Sequence, residues 1–274
     1  MKYRNVRGLS LVGMLVLAAP HLGAQEVPDH AAFEAVLQQH VHGKLFDYGA
    51  VAKDSAGLTD YLLQLANTDP GVLEAAGRQQ QLAFWINAYN ACTVKLVVDH
   101  YPIRKGGLAA SLVNSVKGVP ANSIRQIPNT WSDKFCNVAG TARSLDEIEH
   151  EILRPMGDPR IHFAVNCASR SCPVLSSHAY TAKRLDDQLD DAVRRFVADS
   201  MQYRLNRKKS ALEVNRILDW YKDDFGGTEG VIRFLLYYIP DADVQFIRTH
   251  PKIEVRYNRY DWTLNDTAVF GSGG

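Results

Sequence analysis

The sequence predicts an α+β fold: a helix-rich single domain with a small, mainly antiparallel sheet. Three observations lead there. Apolar residues recur at helical spacing in several segments, the longest running from Arg78 to His100. The segments suited to strands are short, as at Trp131 to Ala142, Ala211 to Val214 and Lys252 to Leu264. No internal repeat or long linker divides the chain. With 274 residues, 46% of them hydrophobic, the chain is large enough for a well-buried core. Residues 25–274 are therefore read as one globular domain.

Residues 1–24 read as a secretory signal. Lys2, Arg4 and Arg7 give the charged region, Leu9 to Ala19 the apolar one, and Leu22-Gly23-Ala24 the small residues before a cut. The apolar run is too short for a membrane span. Later segments hold none of spanning length, so no stable membrane insertion is expected after cleavage, and the protein is expected in the periplasm or outside the cell. Removing this segment takes three cations from the 31 Lys+Arg. That leaves 28 against 30 Asp+Glu, a net of −2. Such a chain, without a basic stripe, gives no electrostatic case for nucleic acid.

Phe33, Val36 and Leu37 predict a first helix over residues 30–41, followed by an extended or looped stretch to Val51. Ser55 is placed to cap a second helix with Leu58, Tyr61, Leu62 and Leu65 on one stripe, broken by Asp69-Pro70-Gly71. The Arg78 to His100 helix is apolar on nearly every face and is therefore central. Residues 103–130, rich in Gly, Ser, Asn and Pro, are expected to form a lid or surface excursion. A hairpin turning at Ala139-Gly140 follows. Ser144-Leu145-Asp146-Glu147 matches a capping box and opens a helix to Leu153. Ile161 to Asn166 is strand-like. Helices are then expected over residues 183–199, around Leu218 to Phe225 with a stop at Gly226-Gly227, and from Thr228 to Pro240. A strand is expected at Ala211 to Val214, and a terminal strand or hairpin at Lys252 to Leu264.

Chemistry concentrates in Ile161 to Pro173, which carries His162, Asn166, Cys167, Arg170 and Cys172. Cys167 and Cys172 enclose four small or flexible residues. Bonded to each other, they would staple the loop, worth ~2 kcal/mol by chain entropy. Left free, Cys167 is the candidate nucleophile, which calls for a lowered thiol pKa and a neighbouring base. On a strand, His162 would point away from Cys167, an odd number of residues later, unless the chain bends at Asn166. His150, on the preceding helix beside Asp146 and Glu147, is the competing base. Asn166 or Asn87 is the candidate orienting or oxyanion-stabilising group. Buried Asn87 and Asn90 otherwise belong to a structural amide network. Zinc on the same His and Cys residues is a third reading, but C-x4-C falls short of the usual spacing. Cys92 and Cys136 form the other candidate bridge. No P-loop, G-x-G-x-x-G or G-x-S-x-G occurs, so no cofactor is indicated.

Four blocks resemble a known family: Phe84 to Ala91, Ser144 to His150, His162 to Pro173 and Tyr260 to Asn265. In this order they are similar to the signatures of the "domain of unknown function 547" family, over about residues 78–198 and a C-terminal block. The resemblance implies an exported bacterial protein and no assigned function. The His, Cys and Asp-Trp blocks also resemble papain-like and transglutaminase-like folds. In those folds the Cys starts a helix, whereas Cys92 lies inside one here.

Two functions follow, and a zinc-supported version of either is the third. One is an exported thiol-dependent hydrolase or acyl-transferase acting on amide or ester bonds of a small-molecule or peptide-like ligand. The other is a non-catalytic exported binding domain with its loop closed by a Cys167–Cys172 bond.

Overall fold

The computed structural model describes residues 27–103 and 119–270. The expected leader, residues 1–24, lies outside the described residues, as does the 104–118 part of the expected lid or surface excursion. The described residues are 55% helix and 11% strand, which fits the helix-rich α+β expectation.

The first half is helical: α1 (Ala31–His40), α2 (Tyr48–Lys53), α3 (Ala56–Asn67), α4 (Pro70–Ala75) and α5 (Arg78–Asp99). Strands β1 (Val41–His42) and β2 (Leu45–Phe46) pair between α1 and α2. The stretch expected to be extended or looped before Val51 thus contains a helix turn, capped by Asp47 through Ala50 N–H. Ser55 occupies the N-cap of α3 without a side-chain cap bond. Asp69-Pro70-Gly71 both ends α3 and starts α4, because the Asp69 carboxylate accepts from Gly71 and Val72 N–H while Pro70 takes the first helical position. Helix α5 is buried without a break from Leu82 to Val94, as its all-round apolar pattern requires.

Strands β3 (Cys136–Val138) and β4 (Thr141–Arg143) make the expected hairpin. Ala139 and Gly140 both take positive φ, 48° and 70°, as a two-residue loop demands. Their N–H groups bond Leu65 and Ala66 carbonyls at 2.8 and 3.0 Å, satisfying acceptors that the end of α3 leaves open. A disulfide joins Cys136 of this hairpin to Cys92 inside α5.

The capping box forms as read: Ser144 N–H donates to Glu147 Oε2 at 3.0 Å, and Glu147 N–H to Ser144 Oγ at 3.1 Å. The helix it opens is a π-helix over Glu147–Leu153, a form over-represented at functional sites. Next comes a correction. The strand-like run is a 3-10 helix, Pro159–Phe163, capped by Asp158, followed by irregular chain. Its apolar residues are buried on two sides. Ile161, Ala164 and Val165 pack into the core around α5, and Phe163 packs into a second apolar cluster.

That second cluster gathers α6 (Leu185–Ala198), α7 (Ile217–Trp220), α8 (Gly227–Leu235) and α9 (Asp241–Thr249) around a sheet of β5 (Tyr203–Asn206), β6 (Ala211–Val214) and β7 (Glu254–Tyr257). β5 and α9 were not anticipated. β7 pairs parallel to β6 and does not fold into a terminal hairpin, and residues 258–264 run on as irregular chain. Gly226, at φ 83°, ends the 3-10 turn before α8, matching the expected stop. Among the described residues no helix is long and apolar enough to cross a membrane.

One packing feature makes stability acid-sensitive. His30 is buried at the start of α1, its Nδ1 2.7 Å from Tyr61 Oη, and burial pushes its pKa down to about 4. Unfolded, it protonates near its ordinary 6.5. Between those values the unfolded chain binds the extra proton, so stability falls as pH falls, by about 3 kcal/mol across the window. His162 is shifted in the same direction. Urea midpoints at pH 7 and pH 4.5 should drop markedly for the parent and less for His30→Gln. Equal drops in the two would refute the assignment.

Candidate functional site

The loop after the 3-10 helix is built by asparagines. From α5, Asn90 accepts Asn166 N–H at 2.8 Å and donates to Ala164 O at 3.0 Å. Asn166 in turn donates to Pro173 O at 2.7 Å and accepts Ala168 N–H at 2.8 Å, closing the loop on itself. Ala168 takes φ 57°, an unusual conformation for a residue with a Cβ and held here by that bond. The C-terminal block lies along the same loop. Arg170 N–H donates to Thr263 O, and Ser171 N–H to Asp261 O, at 2.8 and 3.2 Å.

This framework presents Cys167 half-buried in a cavity of about 270 Å3, with Cys172 also in its lining. Of the two candidate bridges, Cys92–Cys136 is formed and Cys167–Cys172 is not, so both loop thiols are free. Cys167 N–H donates to Cys172 Sγ at 3.0 Å. Cys167 Sγ lies 3.2 Å from both Ser169 Oγ and Tyr260 Oη, which bond each other at 2.9 Å. The Cys172 thiol, then these two hydroxyls, hold the Cys167 thiol below its ordinary pKa against the opposing effect of burial. Burial pushes Cys172 well above the ordinary thiol value. The difference makes Cys167 the more acidic thiol of the pair.

His162 is 1% exposed, and its Nε2 lies 2.7 Å from Asp224 Oδ2. Arg154 clamps that carboxylate with two bonds of 2.7 Å. A carboxylate only accepts, so Nε2 carries the proton and Nδ1 the lone pair. Among the described residues Nδ1 is buried without a partner. Burial lowers the His162 pKa, with Asp224 opposing, so the ring is neutral at pH 7. It stacks on Tyr221 at 4.0 Å. His150 stands at the rim, 40% exposed, between Arg154 Nη1 (3.3 Å) and Asp146 Oδ1 (3.7 Å).

The expected residues therefore divide. Cys167, Cys172, His150 and His162 line one cavity, but neither histidine bonds the Cys167 thiol. Asn166 and Asn87 are not among the residues that line the cavity, and the amide of each bonds the backbone. Asn87 donates to Tyr180 O and accepts Tyr180 N–H at 2.7 and 2.9 Å, away from the loop. Cys92 is bonded, which removes it from thiol chemistry, and His162 lies on a 3-10 turn. The papain-like likeness therefore finds no support in either residue. Among the described residues no three His, Cys, Asp or Glu gather to hold a metal.

Sequence reasoning missed most of the walls. Tyr89, Trp131, Trp220, Tyr221, Tyr260 and Trp262 supply the aromatic surface. Asp146 and the buried Glu149, which accepts from Tyr221, are its carboxylates. Tyr260, Trp262 and Glu149 do fall inside the signature blocks, which was the available signal. Neither a curated protein nor a solved structure matches the chain. The resemblance carried by the first three blocks is borne out, for residues 73–197 match the family described as "Protein of unknown function, DUF547".

Proposed function

We propose that the chain is a thiol-dependent hydrolase or acyl-transferase with Cys167 as nucleophile. One observation supports this above all: a half-buried thiol in a cavity wall, held toward the thiolate by the Cys172 thiol and the Ser169 and Tyr260 hydroxyls. The Sγ would bond to the carbonyl carbon of an ester or amide, expel the leaving group and pass the acyl group to water or an acceptor. His162, His150, Glu149 and Asp146 are imidazole and carboxylate groups of the lining available to exchange the proton. With aromatic walls, two carboxylates and neither Lys nor Arg in its lining, the cavity suits an uncharged or cationic small-molecule or peptide-like ligand. The leader-like residues 1–24 and the Cys92–Cys136 bridge support a periplasmic or secreted location.

Alkylation with iodoacetamide tests the nucleophile. Cys167 should react at pH 7 ahead of Cys172, and Tyr260→Phe should slow it several-fold and raise its apparent pKa, because one donor to the thiolate is gone. A Cys167 that titrates as an ordinary thiol, or that reacts after Cys172, would sink the proposal and leave the binding domain. For acyl transfer itself, an activated phenyl ester should leave a mass-detectable acyl group on Cys167.

A further inference from the structure

The cavity holds a second thiol, which acyl transfer uses only as a neighbour that favours the Cys167 thiolate. Cys172 is 5% exposed, and its sulfur sits 3.0 Å from the amide nitrogen of Cys167. This places the Cys172 sulfur beside the start of the Cys167 side chain. The loop between them is clamped at Asn166, Arg170 and Ser171, so the two sulfurs are held as neighbours.

We infer that Cys167 and Cys172 form a redox couple that reduces small uncharged or cationic organic disulfides, with Cys167 attacking and Cys172 resolving. This rests on Cys167 being the reactive thiol of the cavity. The asymmetry matches the division of labour. The attacking sulfur is half-buried in the cavity wall, and the resolving one is buried behind it. Their acidities differ in the required direction, lowered at Cys167 and raised at Cys172, so the second thiol stays protonated until the first has reacted.

The steps balance. Cys167 thiolate attacks one sulfur of R–S–S–R, forming Cys167–S–S–R and releasing RS⁻. The Cys172 proton passes to that thiolate, giving RSH. Cys172 thiolate then attacks Cys167 Sγ, forming Cys167–S–S–Cys172 and releasing the second RS⁻. The protein dithiol is oxidised by two electrons, and the disulfide is reduced to two thiols.

Hydroxyethyl disulfide, which is uncharged, is the probe. The reduced parent, with Cys92–Cys136 intact, should release two equivalents of 2-mercaptoethanol per chain and gain a Cys167–Cys172 bond in its peptide map. Cys172→Ala should release one equivalent and keep the hydroxyethyl adduct on Cys167. A parent that keeps the adduct refutes the couple while leaving Cys167 as a nucleophile. A parent that releases no thiol refutes both. The parent's stoichiometry decides the matter even where the alanine variant fails to fold.

Discussion

Replacing Cys92 and Cys136 together by alanine should destabilise the protein by about 4 kcal/mol. The bridge spans 44 residues of chain, and closing a loop of that length removes this much entropy from the unfolded ensemble. Packing works in the same direction. Both cysteines are at most 1% exposed, so each lost sulfur leaves a small void in the core around α5. Against these terms stand the hairpin's bonds to Leu65 and Ala66, its apolar contacts and the Arg143 guanidinium over Trp85. The hairpin runs directly into the Ser144–Glu147 capping box, so loosening it should also disturb the π-helix that carries Glu149 and His150. Urea unfolding of the parent and the double variant measures the difference. A loss below about 1 kcal/mol would mean that the bridge adds nothing to a hairpin already fixed by packing.

The bridge also separates what the sequence made legible from what it hid. Local signals were read correctly because their physics is local. The capping box is a reciprocal pair three residues apart, Ala139-Gly140 fits a two-residue turn, and the all-round apolar run of α5 needs burial on every side. The Ile161 to Asn166 run failed for a different reason. A short apolar stretch looks the same whether it is a buried strand or a buried turn. Here Asp158 and Pro159 start a 3-10 turn, and Asn90 holds the exit from 74 and 76 residues away. The pocket suffered most from such distances. His162 meets Asp224 across 62 positions and Cys167 meets Tyr260 across 93, and no periodicity encodes those meetings. The sequence therefore pointed to the cysteine loop while hiding its surroundings. With Asn166 seen only as a polar neighbour of Cys167, an oxyanion role was the natural reading. In the fold its amide bonds Pro173 O and Ala168 N–H, shaping the loop, and it does not line the cavity.

Asn90→Ala should be the most damaging single change to the site, even though Asn90 does not line the cavity. The side chain is 2% exposed and serves two buried backbone groups, Asn166 N–H and Ala164 C=O. Alanine leaves both unpaired, and at ~1–3 kcal/mol for each orphaned group the loss is about 4 kcal/mol. Asn87→Ala provides the comparison. It too is buried on α5 and pairs one N–H and one C=O, both belonging to Tyr180, so its stability loss should be similar. The two should part at the thiol. Asn90 fixes the residues leading into Cys167, so Asn90→Ala should slow alkylation of Cys167 at pH 7 several-fold in the fraction that remains folded. Asn87→Ala should leave that rate near the parent value, since Tyr180 takes no part in the loop. Denaturant midpoints read the first effect and labelling rates the second. Equal labelling in the two variants would mean that the loop holds Cys167 through the Tyr260 to Asn265 side alone, and that the amide on α5 contributes only stability.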